Sequence, residues 1–181
     1  HRTFVAGSSW QPDEEIFIPW FNAHKDWKLI IAPHVIGEDH LQQILSKIEG
    51  KAVRYTQASA EEVRDAQVLI IDCFGLLSSI YHYGEVAYVG GGFGVGIHNL
   101  PEAAVWGVPV IFGPNNQRFQ EAQQLKACGG GLEINGAADF QRIMDRFDAN
   151  PQQVEADGKK AGDYVKGKAG ATGKVLHSVG L

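Results

Sequence analysis

The stretch that decides the fold is Val86-Ala-Tyr-Val-Gly90-Gly-Gly-Phe-Gly-Val-Gly96-Ile-His-Asn-Leu-Pro-Glu102-Ala-Ala-Val-Trp-Gly-Val-Pro-Val-Ile-Phe-Gly-Pro114. A short branched run opens it and reads as a strand. Glycines follow at 90, 91, 92, 94 and 96, and then come helix-start signals. Asn99 is a natural N-cap, and Pro101 suits a first turn, where a missing N–H costs little. A second apolar run, Val108–Phe112, closes the segment. Strand, glycine loop, helix, strand is the repeating unit of a parallel α/β sheet.

The rest of the chain repeats that unit. Apolar runs at Thr3–Gly7, Lys28–Ala32, Lys51–Tyr55, Val68–Ile71 and Gly131–Ile134 add strands. Amphipathic stretches predict helices over Asp13–His24, Glu38–Ile48, Leu76–Tyr83, Asn99–Trp106, Phe119–Ala127, Ala137–Ala149 and Pro151–Lys166, with a last short helix from Ala171. The expected fold class is α/β, a Rossmann-like doubly wound parallel sheet of about six strands. The 181 residues, 44% of them apolar, suffice for a single domain over 1–181, including C-terminal helices from about 151. In such sheets ligands sit beyond the carboxyl ends of the strands. The loops to inspect are therefore Gly7–Pro12, Pro33–Gly37, Asp72–Gly75, Gly90–His98 and Gly113–Gln117.

Glycines without Cβ atoms permit positive φ and let backbone N–H groups approach a ligand, so Gly91, Gly92, Phe93 and Gly94 are candidate phosphate neighbours. Free amides at the following helix turn favour an anion by about 0.3–2 kcal/mol, which requires no metal. Glu102 has two readings: the reciprocal member of a capping box with Asn99, or an acceptor for both hydroxyls of a ribose. The loop follows a late strand, whereas the dinucleotide GxGxxG signature follows the first one, which disfavours nicotinamide chemistry.

Composition narrows the class further. Sixteen Lys+Arg against 21 Asp+Glu give a net charge of −5, which argues against broad attraction to nucleic acid. Cys73 and Cys128 have no metal-ligand spacing and read as two buried thiols. No apolar run reaches the ~18 residues a membrane helix needs. The chain enters a strand almost at once, the expectation for a soluble piece of a longer protein. Lysines 159, 160, 166, 168 and 174 read as a solvated helix face, or as a surface that meets anionic lipid.

The Gly90-Gly-Gly run, Gly96-Ile-His-Asn-Leu-Pro-Glu-Ala-Ala-Val-Trp-Gly-Val-Pro-Val-Ile-Phe-Gly-Pro and Phe119-Gln-Glu-Ala together resemble the donor-site signature of bacterial 3-deoxy-D-manno-octulosonic acid (Kdo) transferases. Val5-Ala-Gly-Ser-Ser with Glu14-Glu15, Ile31-Ala-Pro-His and Gly170-Ala-Thr are similar to other segments of that family. The resemblance implies the C-terminal, donor-binding half of a two-domain GT-B glycosyltransferase. Such an enzyme passes Kdo from CMP-Kdo to lipid A precursor in lipopolysaccharide synthesis, at the cytoplasmic face of the bacterial inner membrane. It implies no metal and no cofactor. The catalytic base, the acceptor site and the membrane contact would belong to an N-terminal domain absent here, leaving this half inactive alone.

On this resemblance Asn99 and Glu102 hold the ribose and phosphate region and the glycine loop lines the phosphate. Phe74, Gly75 and Leu76 lie beside the cytosine, and Ser8 and Ser9 face the cleft. Pro33 and His34 stand where many members have Pro-Arg-His, so a titratable imidazole replaces a fixed cation near the phosphate. Phe74-Gly75-Leu76 stands where Met-Gly-Glu is common. His98, between glycine loop and helix, is a candidate ligand or structural hydrogen bonder, and His34 is a second candidate or a plain surface side chain. Two other readings share these features. One is a GT-B transferase or 2-epimerase using a UDP- or GDP-sugar; the other is a non-catalytic nucleotide-binding module.

Overall fold

A computed structural model describes the backbone of residues 2–97 and 99–178, with side chains through residue 170. Seven strands alternate with helices in chain order. They are β1 (Arg2–Ser9), β2 (Trp27–Pro33), β3 (Ala52–Arg54), β4 (Val68–Ile70), β5 (Val86–Val89), β6 (Val110–Phe112) and β7 (Gly131–Glu133). The helices are α1 (Gln11–Ala23), α2 (Glu38–Lys47), α3 (Ala60–Asp65), α4 (Leu77–Ile80), α5 (Leu100–Ala104), α6 (Gln120–Cys128), α7 (Ala137–Ala149) and α8 (Pro151–Ser178).

All strand pairs are parallel, in the order β3-β4-β2-β1-β5-β6-β7. The sheet thus has seven strands where about six were expected, because the short Gly131–Glu133 run pairs with β6 as a full edge strand. The chain builds outward from β1 on one side, then returns to its other side at β5. The topological switch point therefore falls between β1 and β5, and a ligand crevice opens beyond their carboxyl ends.

Residue parity sends neighbouring side chains of each strand to opposite faces. Phe4, Ala6, Val86, Tyr88 and Ile111 pack against α1, α2 and α7 through Phe17, Phe21, Leu41, Ile44, Phe140 and Met144. Val5, Ala87, Val89, Val110 and Phe112 face the opposite way, onto Tyr81, Leu100, Ala104, Leu125 and Ala161. Both faces are covered, which is why the central strands read as unbroken apolar runs.

Four local expectations change. α3 was not expected; Ser59 caps it, accepting from the Glu62 N–H while Glu62 reaches back to the Ser59 N–H. The segment after Ala171 is no separate helix but a continuation of α8. The Leu76–Tyr83 helix shrinks to α4 and a 3₁₀ turn at Tyr81–Tyr83. Nor are the cysteines two buried thiols, since Cys73 is half-buried and Cys128 lies exposed at the end of α6.

Candidate functional site

The two strands at the switch point end in special backbone. β1 leaves through Ser8, a non-glycine residue at φ 52°, and its register to β2 shifts between Gly7 and Ser9. β5 leaves through Gly90, whose missing Cβ lets it lie directly against the Ser8–Ser9 backbone; any side chain would overlap it. The Gly90 N–H donates to the Gly7 carbonyl at 2.9 Å. The two walls of the crevice are therefore fastened at their roots.

The glycine loop folds back on itself and onto the next strand. Gly91 adopts φ 97°, and its carbonyl accepts from the Gly96 N–H at 2.8 Å and the Gly94 N–H at 3.2 Å. Gly92 lies on the backbone of Gly113, where a Cβ would come within 2.5 Å. Asn115 clamps the loop from the β6 side: its N–H donates to the Gly92 carbonyl at 2.8 Å and its amide nitrogen to the Gly94 carbonyl at 2.6 Å. Only Gly94 among the loop glycines faces open space. Most of the glycine content is thus spent on close backbone packing, and Gly94 with the exposed Val95 forms the outward tip.

A buried carboxylate fixes the loop from below. Asp13, 1% exposed at the start of α1, accepts from Tyr88 Oη at 2.5 Å, the Trp10 N–H at 2.9 Å and the Gly91 N–H at 3.2 Å. Burial pushes its carboxyl above the ordinary range, while the hydrogen bonds from Tyr88, Trp10 and Gly91 pull the other way. Tyr88 in turn is held well above the ordinary tyrosine range by burial and by the Asp13 charge. Sequence reasoning missed Asp13, because its partners lie 75 and 78 positions away.

A second buried carboxylate, Glu14, accepts from Ser9 Oγ at 2.7 Å and contacts His40 Nε2 at 2.7 Å. His40 Nδ1 lies 2.7 Å from the Val35 carbonyl, so that nitrogen carries a proton and the ring anchors the Pro33–Gly37 loop. The Ser9 hydroxyl is therefore committed inward, and Ser9 is fully buried; Ser8 is 8% exposed. Pro33 is buried at the end of β2, and the exposed His34 stacks on Trp10 with ring centroids 4.4 Å apart. Trp10 was not singled out from the sequence. With Asp13, Gly91, Phe93 and Gly94 it lines a cavity of about 110 Å³, and its buried indole N–H lacks a hydrogen-bond partner among the described residues.

Asn99 caps α5, its side-chain oxygen accepting from the Glu102 N–H at 3.4 Å. Among the described residues no capping box joins Glu102 back to Asn99, and Glu102 lies half-buried in the first turn of α5. α5 has only five residues, shorter than the expected Asn99–Trp106, so its dipole adds little. A cavity of about 320 Å³ lies between Ile97, Asn99, Pro101 and Phe119. His98 lies outside the described residues. Phe74, 82% exposed, and Gly75, at φ 91°, form the loop after β4, which is separated from β1 by β2. Leu76 follows them and lines a different, larger cavity on the sheet face, about 510 Å³, between α3 and α4. Among the described residues no cluster of His, Cys, Asp and Glu is arranged to hold a metal, and no helix is long and apolar enough to cross a membrane.

The chain is 32% identical over 144 residues to the 3-deoxy-D-manno-octulosonic acid transferase of Aquifex aeolicus, an alignment covering 75% of this chain and 39% of the relative. It is also 32% identical to the transferase of the same name from Chlamydophila psittaci, over 70% of this chain and 30% of the relative. By sequence, the chain is a relative of the Kdo transferases. It spans less than half the length of these curated relatives. No family model matches it. Among solved structures, the C-terminal CMP-Kdo binding domain of WaaA from Acinetobacter baumannii superposes with a TM-score of 0.75 at 24% identity, covering 91% of this chain and 89% of that one. The C-terminal domain of the glycosyl transferase LpcC from Francisella tularensis follows the same fold, with a TM-score of 0.65 at 13% identity over 93% of this chain and 86% of that one. The fold is thus shared with these two C-terminal domains, and the likeness by sequence is to the Kdo transferases.

Proposed function

We propose that this chain is the donor-binding half of a Kdo transferase, gripping CMP-Kdo at the β1–β5 switch point. The observation that carries this reading is the fastened glycine loop at the β1–β5 switch point, which runs on to the Asn99 cap and the Glu102-bearing first turn of α5. Kinship to the Kdo transferases supplies the nucleotide. A carboxylate that only accepts hydrogen bonds suits the two donor hydroxyls of a ribose. The Gly94 tip and the turn at Asn99 leave amides beside the departing phosphate, where preorganised donors stabilise developing charge. The remaining role falls to an acceptor domain. That domain would supply the base and the lipid A precursor site at the cytoplasmic face of the inner membrane, so this half alone turns nothing over.

Within the site, Asp13 and Asn115 keep the loop in one shape, so the nucleotide meets a preformed cradle. His34, seated on Trp10, brings an imidazole to the edge where a cation would meet the anionic donor. Phe74, Gly75 and Leu76 would contact the base through exposed backbone and a projecting ring rather than through an acidic side chain.

Titration calorimetry of the domain with CMP, UMP, UDP and GDP tests the reading. It requires CMP-selective heat that disappears in Glu102→Ala while the variant unfolds at the wild-type temperature. Preference for UDP or GDP would transfer the chain to the sugar-nucleotide transferases and epimerases that share the fold. Binding of none of the four would refute a preformed donor site.

A further inference from the structure

The sheet-face cavity between α3 and α4 arises because the second face of the sheet loses its cover beyond β1. On the first face β2 and β4 present Leu29, Ile31, Val68 and Ile70, all buried. On the second they present Ile30 and Leu69, which stay partly exposed. The helices there are too slight to seal them: α3 buries no side chain and α4 has four residues. The resulting cavity of about 510 Å³ falls within the roughly 300–1,000 Å³ of small-molecule sites. Its interior is chemically plain. The Gln67 amide nitrogen is spent on the Phe21, His24 and Trp27 carbonyls, and the Ser79 hydroxyl on the Leu76 carbonyl. What remains is an aliphatic floor that offers an occupant contact but little hydrogen bonding.

The charged lining is one-sided. Lys28 and Arg64 line the cavity and no Asp or Glu does, in a chain whose net charge is −5. The Lys28 ammonium donates to the Arg64 carbonyl, which brings the two residues together near the start of β2. Neither forms an ion pair with a described residue, and ammonium and guanidinium groups have donors to spare. We propose that this cavity binds an anionic amphiphile, an aliphatic chain seated on Ile30 and Leu69 with its carboxylate or phosphate head beside Lys28 and Arg64. The charge and the floor match the two ends of such a molecule. A bare anion would leave the floor in contact with water, and a neutral hydrocarbon would leave the cations unused. The floor runs along the strands from Lys28, near the start of β2, to Ile71, just past the end of β4. The site is separate from the switch-point crevice and stands independently of the donor reading.

Amide chemical-shift mapping of the chain during titration with decanoate, decyl phosphate and decanol, each below its aggregation concentration, tests the proposal. The expected result is saturable shifts at Ile30, Leu69, Ile71 and Leu76 with at least one of the two anions, the tighter of them naming the head group, and weaker binding of decanol. The double variant Lys28→Gln/Arg64→Gln should lose roughly twofold to thirtyfold in affinity for that anion, the scale of two exposed ion pairs. It should keep its affinity for decanol and unfold at the wild-type temperature. Decanol binding as tightly as the anions, or an anion affinity unmoved in the double variant, would leave an apolar cavity without an anion site and overturn the proposal. So would shifts scattered over the surface, or none at all. Shifts at the same residues on raising the protein concentration alone would assign the face to a second copy of the chain and overturn it as well.

Discussion

Asp13 is where the fold and the glycine loop are joined, and its removal should be measurable as stability. In Asp13→Ala, the Tyr88 hydroxyl and the Gly91 N–H lose their acceptor inside the protein, and the Trp10 N–H loses its own at the half-buried edge. Each buried donor left unsatisfied costs about 1–3 kcal/mol, so the two enclosed ones set a loss of about 2–6 kcal/mol. Asp13→Asn should cost far less, on the order of 1 kcal/mol. Its carbonyl can replace Oδ2 for the two backbone donors, while Tyr88 Oη turns to accept from the new amide. The pH dependence carries a sign that separates these cases. The folded carboxyl of Asp13 lies above its ordinary value of 3.8, so its protonation favours the folded state. That contribution is fully present below pH 3.8 and is lost as pH rises through the folded value. Asparagine, which does not titrate, removes it. Urea unfolding of the three proteins across pH checks both claims. An Asp13→Ala loss below about 1 kcal/mol, or an asparagine as costly as alanine, would refute the reasoning.

Gly92→Ala should destabilise or prevent folding because its Cβ would meet the Gly113 backbone at 2.5 Å, whereas Gly94→Ala, facing open space, should unfold at the wild-type temperature and show its effect in nucleotide affinity. His40→Ala leaves the fully buried Glu14 carboxyl without its His40 hydrogen-bond partner and should cost about 1–3 kcal/mol in chemical unfolding, with Glu14→Gln milder because Ser9 can still donate to it. Asn99→Ala should lower stability by about 0.5 kcal/mol, the small end for an N-cap, since the bond it removes is 3.4 Å long; a melting curve reads the difference.

Branched apolar runs foretold the central strands because the sheet is covered there on both faces, and α7 was legible to the residue because Phe140, Ile143, Met144 and Phe147 recur at helical spacing on its buried face. α3 escaped because it buries no side chain and has no apolar stripe; its signal was the Ser59–Glu62 capping box, which was there to be read. That the late-strand glycines form a loop at the switch point was legible, but their division of labour was not. Whether a glycine spares a backbone contact, as Gly90 and Gly92 do, or opens toward solvent, as Gly94 does, depends on strands far away in sequence. Ser9 illustrates the same limit: a serine at a strand end suggests a ligand contact, yet Glu14 claims its hydroxyl. Asp13 looked like an ordinary acidic residue in a first helical turn, and only the return of β5 beside β1 gives it Tyr88 and Gly91.

The claim on which the account turns is that the nucleotide sits at the β1–β5 switch point. Amide chemical-shift mapping of the domain during titration with CMP tests it most directly, since every loop in question carries reporting N–H groups. The account predicts saturable shifts concentrated at Ser8–Trp10, Gly90–Gly96, Asn99 and Glu102, with residues lining the sheet-face cavity, such as Leu29 and Leu69, unmoved. Shifts confined to that cavity, or none with CMP in excess, would contradict it.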